Sequence, residues 1–129
     1  MIDIKATIEG ESDTAPFHSI FWYADKSDEQ VFFNTVEMIK EKLDKNLRIN
    51  INESLIIYCD YVVSELRAHR TISTIEKNAQ KILPPRKVMI GVPESIRKIT
   101  LEAKVDKLPK RCITLEEPIT TSNYILAAE

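Results

Sequence analysis

The residue types that most often carry out chemistry are sparse and scattered in this chain of 129 residues. The two histidines, His18 and His69, fall in different predicted elements, and the two cysteines, Cys59 and Cys112, lie far apart in the sequence. No His-x-x-x-His or Cys-x-x-Cys spacing brings metal ligands together. The Gly-x-Ser-x-Gly motif of serine nucleophiles is absent as well. The sequence therefore predicts no catalytic residue and no metal ligand.

Carboxylates are plentiful, but their positions favour structural roles. We interpret Glu53 as a helix cap, Glu94 as a loop acid and Glu102 as a strand surface residue, so an acid–base site would require the fold to gather them. His69 follows a predicted helix and is interpreted as its C-cap, because histidine is enriched at positive φ. His18 stands beside aromatic residues and is interpreted as a packing residue.

The two cysteines each lie in an apolar run of the sequence. Free cysteine packs as a small hydrophobic residue, so we predict that both Cys59 and Cys112 are buried free thiols. A disulfide between them is the alternative.

Composition limits the classes of partner that the chain can have. With 18 basic and 20 acidic residues the net charge is −2, so no global basic field attracts nucleic acid. The basic groups at 67–70 and 86–87 are interpreted as solvated surface. No apolar run is long enough to cross a bilayer, and the first residues lack the regions of a signal peptide. We expect no nucleic-acid partner, no membrane association and a cytoplasmic location.

Alternating apolar and polar residues at 2–8 predict a strand with one buried face. The aromatic segment 17–23 is consistent with a second strand or an irregular packed segment. Ser27, followed by Gln30 at capping-box spacing, predicts the start of a first helix that ends near Asn46. Its apolar stripe consists of Phe32, Val36, Ile39 and Leu43.

Capping residues and apolar stripes also predict a second and a third helix. Asn50 and Glu53 form a second capping-box pattern, before a wide apolar stripe that predicts a central, buried helix. Thr71 is the predicted cap of the third helix, which Pro84 ends. The apolar positions of these two helices are Leu55, Cys59, Val62 and Leu66, then Ile72, Ile75, Ala79 and Ile82.

The pattern changes near Gly91. Proline is tolerated in a first helical turn, so we predict a short fourth helix at 85–90 that ends at Gly91, with Pro93 preventing its restart. Alternating residues then predict an antiparallel hairpin at about 97–117 with a turn at 106–109. The predicted fold is α+β, with three main helices, a short fourth helix, a C-terminal hairpin and an additional N-terminal strand.

Several motifs carry a resemblance to one family. Residues 88–96 resemble Val-Met-Glu-Gly-Val-Pro-Glu-Met-Ile of the urease gamma subunit at all but two places, and residues 47–53 resemble its Leu-Lys-Leu-Asn-Tyr-Pro-Glu. Arg67 and Thr71 match the Arg and Thr of Ala-Arg-Asp-Gly-Lys-Thr, although His69 replaces a glycine. Pro118 precedes Ile119 as in the closing Asn-Pro-Ile. The resemblance covers about 28–119.

The resemblance divides the chain into an N-terminal extension (1–26), a urease gamma-like domain (27–119) and a C-terminal tail (120–129). It implies a non-catalytic structural subunit that assembles with urease large (alpha) and beta subunits into a threefold complex. Urea hydrolysis to ammonia and carbamate would occur at a two-nickel centre in the large subunit, with no cofactor in this chain.

By resemblance, the partner interface is expected at the junction, through Val88, Met89, Val92 and Glu94. The alternative for this segment is a helix stop packed under the hairpin. The alternative for the whole chain is a stand-alone relative that kept the fold, lost the urease partners and acts as an interaction module. The extra N-terminal segment and the altered turns favour that alternative.

Overall fold

The structure, a computed structural model, describes residues 2–10, 17–23 and 26–120, with side chains described from 29 onward in the last segment. The predicted α+β fold is confirmed. Apart from residue 120, the predicted C-terminal tail lies outside the described residues, and so does the side chain of His18. The elements are β1 (Ile2–Gly10), β2 (Phe17–Tyr23), α1 (Lys26–Asp44), α2 (Ile51–Arg67), α3 (Ile72–Asn78), 3₁₀ turns at Ala79–Lys81 and Pro85–Lys87, α4 (Val92–Ser95), β3 (Lys98–Val105) and β4 (Arg111–Glu116).

The four strands form one antiparallel sheet in the order β2-β1-β3-β4. The predicted N-terminal strand is confirmed, and it lies inside the sheet, where Ile4 pairs with Ala103 and Ile8 with Ile99. Segment 17–23 is a strand and pairs with the other side of β1. The predicted hairpin is confirmed by the pairing of β3 with β4. The N-terminal segment is therefore part of the same sheet as the hairpin.

The sheet buries one face and exposes the other. The inward side chains of β1 are at most 1% exposed; they are Ile2, Ile4, Ala6 and Ile8. The open face carries opposite charges on neighbouring strands, with Asp3 opposite Lys104 and Lys5 opposite Glu102. Such cross-strand pairs stabilise a sheet, whereas like charges in the same register would destabilise it.

Helix α2 is the central helix, as its wide apolar stripe predicts. Its Cys59 and Val62 side chains are fully buried, and the buried Tyr58 hydroxyl donates a hydrogen bond to the carbonyl of Pro118 at 3.1 Å. Burial raises the pKa of Tyr58 above its ordinary value, so the hydroxyl remains a donor. This bond attaches the chain after β4 to the centre of the core.

The ends of the helices differ in detail from the predictions. Helix α1 begins at Lys26, so Ser27 lies within the first turn rather than at the N-cap. Helix α3 is capped by Thr71, whose hydroxyl accepts the N–H of Thr74 at 3.2 Å, and it ends at Asn78, before the predicted stripe is complete. The chain continues as a 3₁₀ turn, which keeps Ala79 buried.

The C-cap of α2 is Ala68, so the interpretation of His69 as the C-cap is off by one residue. His69 follows the cap and has the expected positive φ, 58°. Its N–H donates to the carbonyl of Leu66 and the N–H of Arg70 to that of Glu65, each at 3.0 Å. These two bonds form a Schellman motif, in which a residue with positive φ ends the helix. Histidine here takes the position where glycine is the usual residue.

The predicted short fourth helix is present, but its predicted position at 85–90 is wrong, because the helix lies at Val92–Ser95. Only Pro85–Lys87 forms a 3₁₀ turn, and Gly91, with φ 93°, stands at the N-cap of α4 instead of ending a helix. Pro93 lies in the first turn of α4, where its missing N–H has no intrahelical partner to lose. The same glycine and proline that indicated a helix stop therefore begin a helix.

The prediction that both cysteines are buried is wrong for Cys112. Cys59 is buried, and burial raises the pKa of its thiol, whereas Cys112 is exposed; both are free. Cys112 pairs with Glu102 across the ladder and so lies on the open face of the sheet. The apolar neighbours of Cys112 point to the opposite face, because side chains alternate along a strand.

Gly10 is where β1 contacts α4. A Cβ atom on Gly10 would overlap the backbone carbonyl of Ser95. Glycine at this position allows the end of β1 to lie directly against the α4 backbone, where the N–H of Arg97 donates to the carbonyl of Glu9 at 2.9 Å.

Arg67, interpreted from the sequence as a solvated basic residue, instead joins three elements. Its guanidinium donates two 3.0 Å hydrogen bonds to Asp106 in the β3–β4 turn and one of 3.0 Å to Glu29 of α1. It also lies 5.6 Å from the ring centroid of Phe33. A planar guanidinium suits such a two-pronged contact, which an ammonium cannot reproduce.

Arg67 lowers the pKa of both acids. Its hydrogen bonds hold the pKa of Asp106 down at about 2, from an ordinary 3.8. Partial burial raises the pKa of Glu29, but the hydrogen bond and the charge of Arg67, together with the other favourable interactions of this carboxylate, outweigh that effect, so the pKa lies below its ordinary value. When folding lowers the pKa of an acid, the ionised acid stabilises the folded state. This stabilisation is complete at pH values above the pKa that the acid has in the unfolded chain, and it is lost as the pH falls through the pKa in the folded chain.

We therefore expect Arg67→Gln to lower the free energy of unfolding most near neutral pH. The difference in the free energy of unfolding between the variant and the unsubstituted chain should become smaller as the pH falls from about 5 to about 2. Urea unfolding across this range measures it. Arg48→Gln, which removes an exposed arginine elsewhere, is the control and should give a difference that does not vary with pH. A constant difference for Arg67→Gln would contradict the role of the ion pairs.

Candidate partner interface

The candidate interface is built on two chain segments that run side by side. The N–H of Ile49 donates to the carbonyl of Lys87 at 3.1 Å, and the N–H of Met89 donates to that of Ile49 at 2.9 Å. Ile49 and Val88, which face each other in this parallel bridge, are both buried. The bridge fixes the segment before α2 against the segment before α4.

The first turn of α2 is held by a complete capping box. The Asn50 side chain accepts the N–H of Glu53 at 2.8 Å, and the Glu53 carboxylate accepts the N–H of Asn50 at 3.1 Å. Lys42 of α1 donates to the same carboxylate at 2.6 Å. Partial burial raises the pKa of Glu53, but these hydrogen bonds outweigh it, so that pKa lies below its ordinary value. The carboxylate thus stays charged and joins α1 to α2.

A tight turn at the other segment projects two apolar side chains outward. The N–H of Val92 donates to the carbonyl of Met89 at 3.1 Å, and the Ser95 hydroxyl donates to that of Gly91 at 2.9 Å. Between these bonds, Met89 is 46% exposed and Ile90 is 79% exposed. The positive φ of Gly91 allows the chain to reverse directly into α4.

The structure separates the four residues that the sequence predicted as an interface. Val88 and Val92 are only 1% and 3% exposed and belong to the core of this chain. Met89 is exposed, and Glu94 is half-buried in α4. Ile90 was missed because the predicted helix at 85–90 gave no reason for this side chain to face solvent.

We call Ile51, Asn52, Met89 and Ile90 the junction surface. Together with Asn50 and Val92 they line a shallow groove of about 340 Å³. Within the part of the chain whose side chains are described, five large apolar side chains are exposed, and Met89 and Ile90 are the two that stand next to each other in sequence. Single exposed apolar residues are common on protein surfaces, whereas neighbouring ones often mark a contact site.

Neither a metal cluster nor a membrane span is found in the described residues. In residues 2–10 and 29–120, whose side chains are described, no three His, Cys, Asp or Glu side chains are grouped so that they could hold a metal ion. No helix in that part of the chain is long and apolar enough to cross a membrane.

Comparison with known proteins gives a consistent result. The family model described as urease, gamma subunit, matches residues 23–119. The urease subunit gamma of Halalkalibacterium halodurans is 33% identical over 87 residues, which cover 67% of this chain and 86% of that protein. The urease subunit gamma of Saccharopolyspora erythraea is 28% identical over 82 residues, covering 64% and 81% respectively.

The family match begins at the last residue of β2, so nearly all of the β1–β2 segment lies outside it. The match includes the four α-helices, β3 and β4, together with both segments of the junction surface. The chain belongs to the urease gamma subunit family.

Proposed function

We propose that this chain is a non-catalytic structural subunit of a urease, assembled in the cytoplasm with a large subunit and a beta subunit in a threefold complex. Urea would be hydrolysed to ammonia and carbamate at a two-nickel centre in the large subunit. The observation that carries the proposal beyond family membership is the junction surface, where Met89 and Ile90 present apolar area to solvent.

The junction surface has the properties of a preformed contact site. Its two segments are fixed by the bridge at Ile49, by the Asn50–Glu53 capping box and by the Met89–Val92 turn. A surface already ordered before binding loses little conformational entropy when a partner covers it. Glu94 lies nearby in sequence as a charged, half-buried residue. This apolar and charged combination favours contact with a protein surface.

Co-expression with urease large and beta subunits tests the proposal. We expect this chain to co-purify with both partners in a stable complex. The purified chain alone should bind no stoichiometric nickel and hydrolyse no urea, because a tight metal site needs several converging ligands. Metal analysis, a urease assay and native mass spectrometry give the readouts. One bound nickel per isolated chain, with urea turnover, would contradict the non-catalytic assignment.

A second candidate function, a stand-alone interaction module without urease activity, is favoured by the position of β1. In this chain β3 is paired on both sides, with β4 on one side and β1 on the other. Free strand edges are common sites for pairing with another chain. Because β1 fills this edge from within the chain, that edge is closed to a partner. Failure to co-purify with any urease subunit would favour the stand-alone module.

A further inference from the structure

A cleft between two chain turns has the composition of a small-molecule site. One wall is the turn after α2, at 69–71, and the other is the β3–β4 turn, at 108–111. The cleft has a volume of about 320 Å³, which lies at the lower end of the range for ligand pockets. We call it the hairpin cleft. It is separate from the junction surface, with which it shares no lining residue.

The floor of the hairpin cleft is apolar and the rim is cationic. Leu66 and Val105 are buried at the floor, with Leu108 partly buried beside them. Arg70 and Arg111 stand at the rim on opposite walls, and the lining includes no acidic residue. Two guanidinium groups over an apolar floor are complementary to an organic anion with an apolar body.

The two arginines differ in the interactions that they already make with other residues of the chain. Arg70 has an acidic neighbour outside the cleft, with its Nε 3.8 Å from Glu65 and its side chain 61% exposed. Within the described part of the chain, the exposed Arg111 side chain makes no hydrogen bond or ion pair. Arg111 is therefore the donor most available to a ligand.

Both walls of the hairpin cleft are fixed without a ligand. The Schellman bonds of His69 and Arg70 fix the first wall, and the N–H of Leu108 donates to the carbonyl of Val105 at 3.0 Å in the second. The bonds from Arg67 to Asp106 hold the end of α2 against the β3–β4 turn. Such preorganisation reduces the entropy lost on binding.

We propose that the hairpin cleft binds a small organic carboxylate, with its apolar body on Leu66, Val105 and Leu108 and its carboxylate between Arg70 and Arg111. A carboxylate suits the site because a guanidinium can donate two parallel hydrogen bonds to its two oxygens. The proposal concerns the chain alone and does not depend on urease partners.

Titration of the purified full chain with benzoate, followed by backbone amide NMR, tests the proposal. Benzoate should shift the amides of His69, Arg70 and Arg111 along a saturating curve. Benzamide has the same ring without the charge, and it should bind at least about tenfold more weakly, because the charge-assisted hydrogen bonds are lost. Acetate, which lacks the ring, should also bind more weakly than benzoate, since it leaves the apolar floor uncovered.

Variants separate the cleft from general charge effects. Arg111→Gln should weaken benzoate binding about tenfold, while Arg48→Gln, an exposed arginine on another surface, should leave binding unchanged. Unshifted amides away from the cleft show that each variant is folded. Equal binding of benzoate and benzamide, shifts that do not saturate, or an equal effect of Arg48→Gln would overturn the proposal. Absence of benzoate binding, with Arg111→Gln weakening subunit assembly, would make the cleft a protein contact and also overturn it.

Discussion

Replacing Ile4 with alanine should lower the free energy of unfolding by about 2–5 kcal/mol, the usual cost of truncating a buried isoleucine. Ile4 is fully buried in β1, the strand that pairs with both β2 and β3. The total stability of a domain is about 5–15 kcal/mol, so this one change removes a large part of it. Urea unfolding followed by circular dichroism measures the difference.

Thr7→Ala is the matched control for Ile4→Ala. Thr7 lies on the same strand but on the half-exposed face, opposite Thr100. Its replacement loses β-propensity without leaving a cavity, so the cost should be no more than about 1 kcal/mol. An equally small cost for Ile4→Ala would mean that the N-terminal segment adds little to the core. The result matters because this segment lies outside the family match.

Replacing both Met89 and Ile90 with serine should leave the chain folded and weaken its binding to urease partners by at least about 30-fold. A residue at the centre of an interface contributes about 2 kcal/mol or more, which corresponds to that factor. Both side chains are exposed in the isolated chain, so their truncation leaves no cavity. Co-purification yield and a dissociation constant from surface plasmon resonance give the measurement.

The control for this double variant is available on α1. Val31 and Met38 are exposed by 59% and 67%, and the change to serine at both removes a similar apolar area. That control should assemble normally. Glu94→Ala should also weaken assembly while the isolated chain stays folded. If both double variants assemble equally well, the junction surface is not the interface; if Glu94→Ala unfolds the chain alone, Glu94 has a structural role.

Local patterns in the sequence determined the element types and most of the core. The apolar stripe Phe32, Val36 and Ile39 is buried on one helix, and the alternating residues of β1 and β3 face the core. Asn50 and Glu53 form their capping box because both bonds link residues only three positions apart. Such features depend on spacing along the chain, which the sequence contains in full.

Features that depend on distant partners were decided by the tertiary structure. Gly91 and Pro93 are compatible with either end of a helix, and the packing of Val92 into the core selected the helix start. Arg67 is hydrogen-bonded to Asp106, which lies 39 positions away in the sequence. The residues around Arg67 therefore gave no indication that it joins separate elements. Cys112 faces solvent because of its place in the ladder, although it begins an apolar run of the sequence.

For the junction surface and the hairpin cleft as well, the sequence determined one part and the tertiary structure decided the other. The family motifs directed attention to the junction, but a motif does not distinguish a residue that supports a surface from one that forms it. Burial made that distinction, since Val88 and Val92 support the surface while Met89 and Ile90 form it. The hairpin cleft arises where the turns at 69–71 and 108–111 approach each other. The sequence determined the individual helices, strands and turns through local hydrogen bonding and periodicity. Only the long-range packing of α2 against the sheet decided which of their residues lie side by side on the surface.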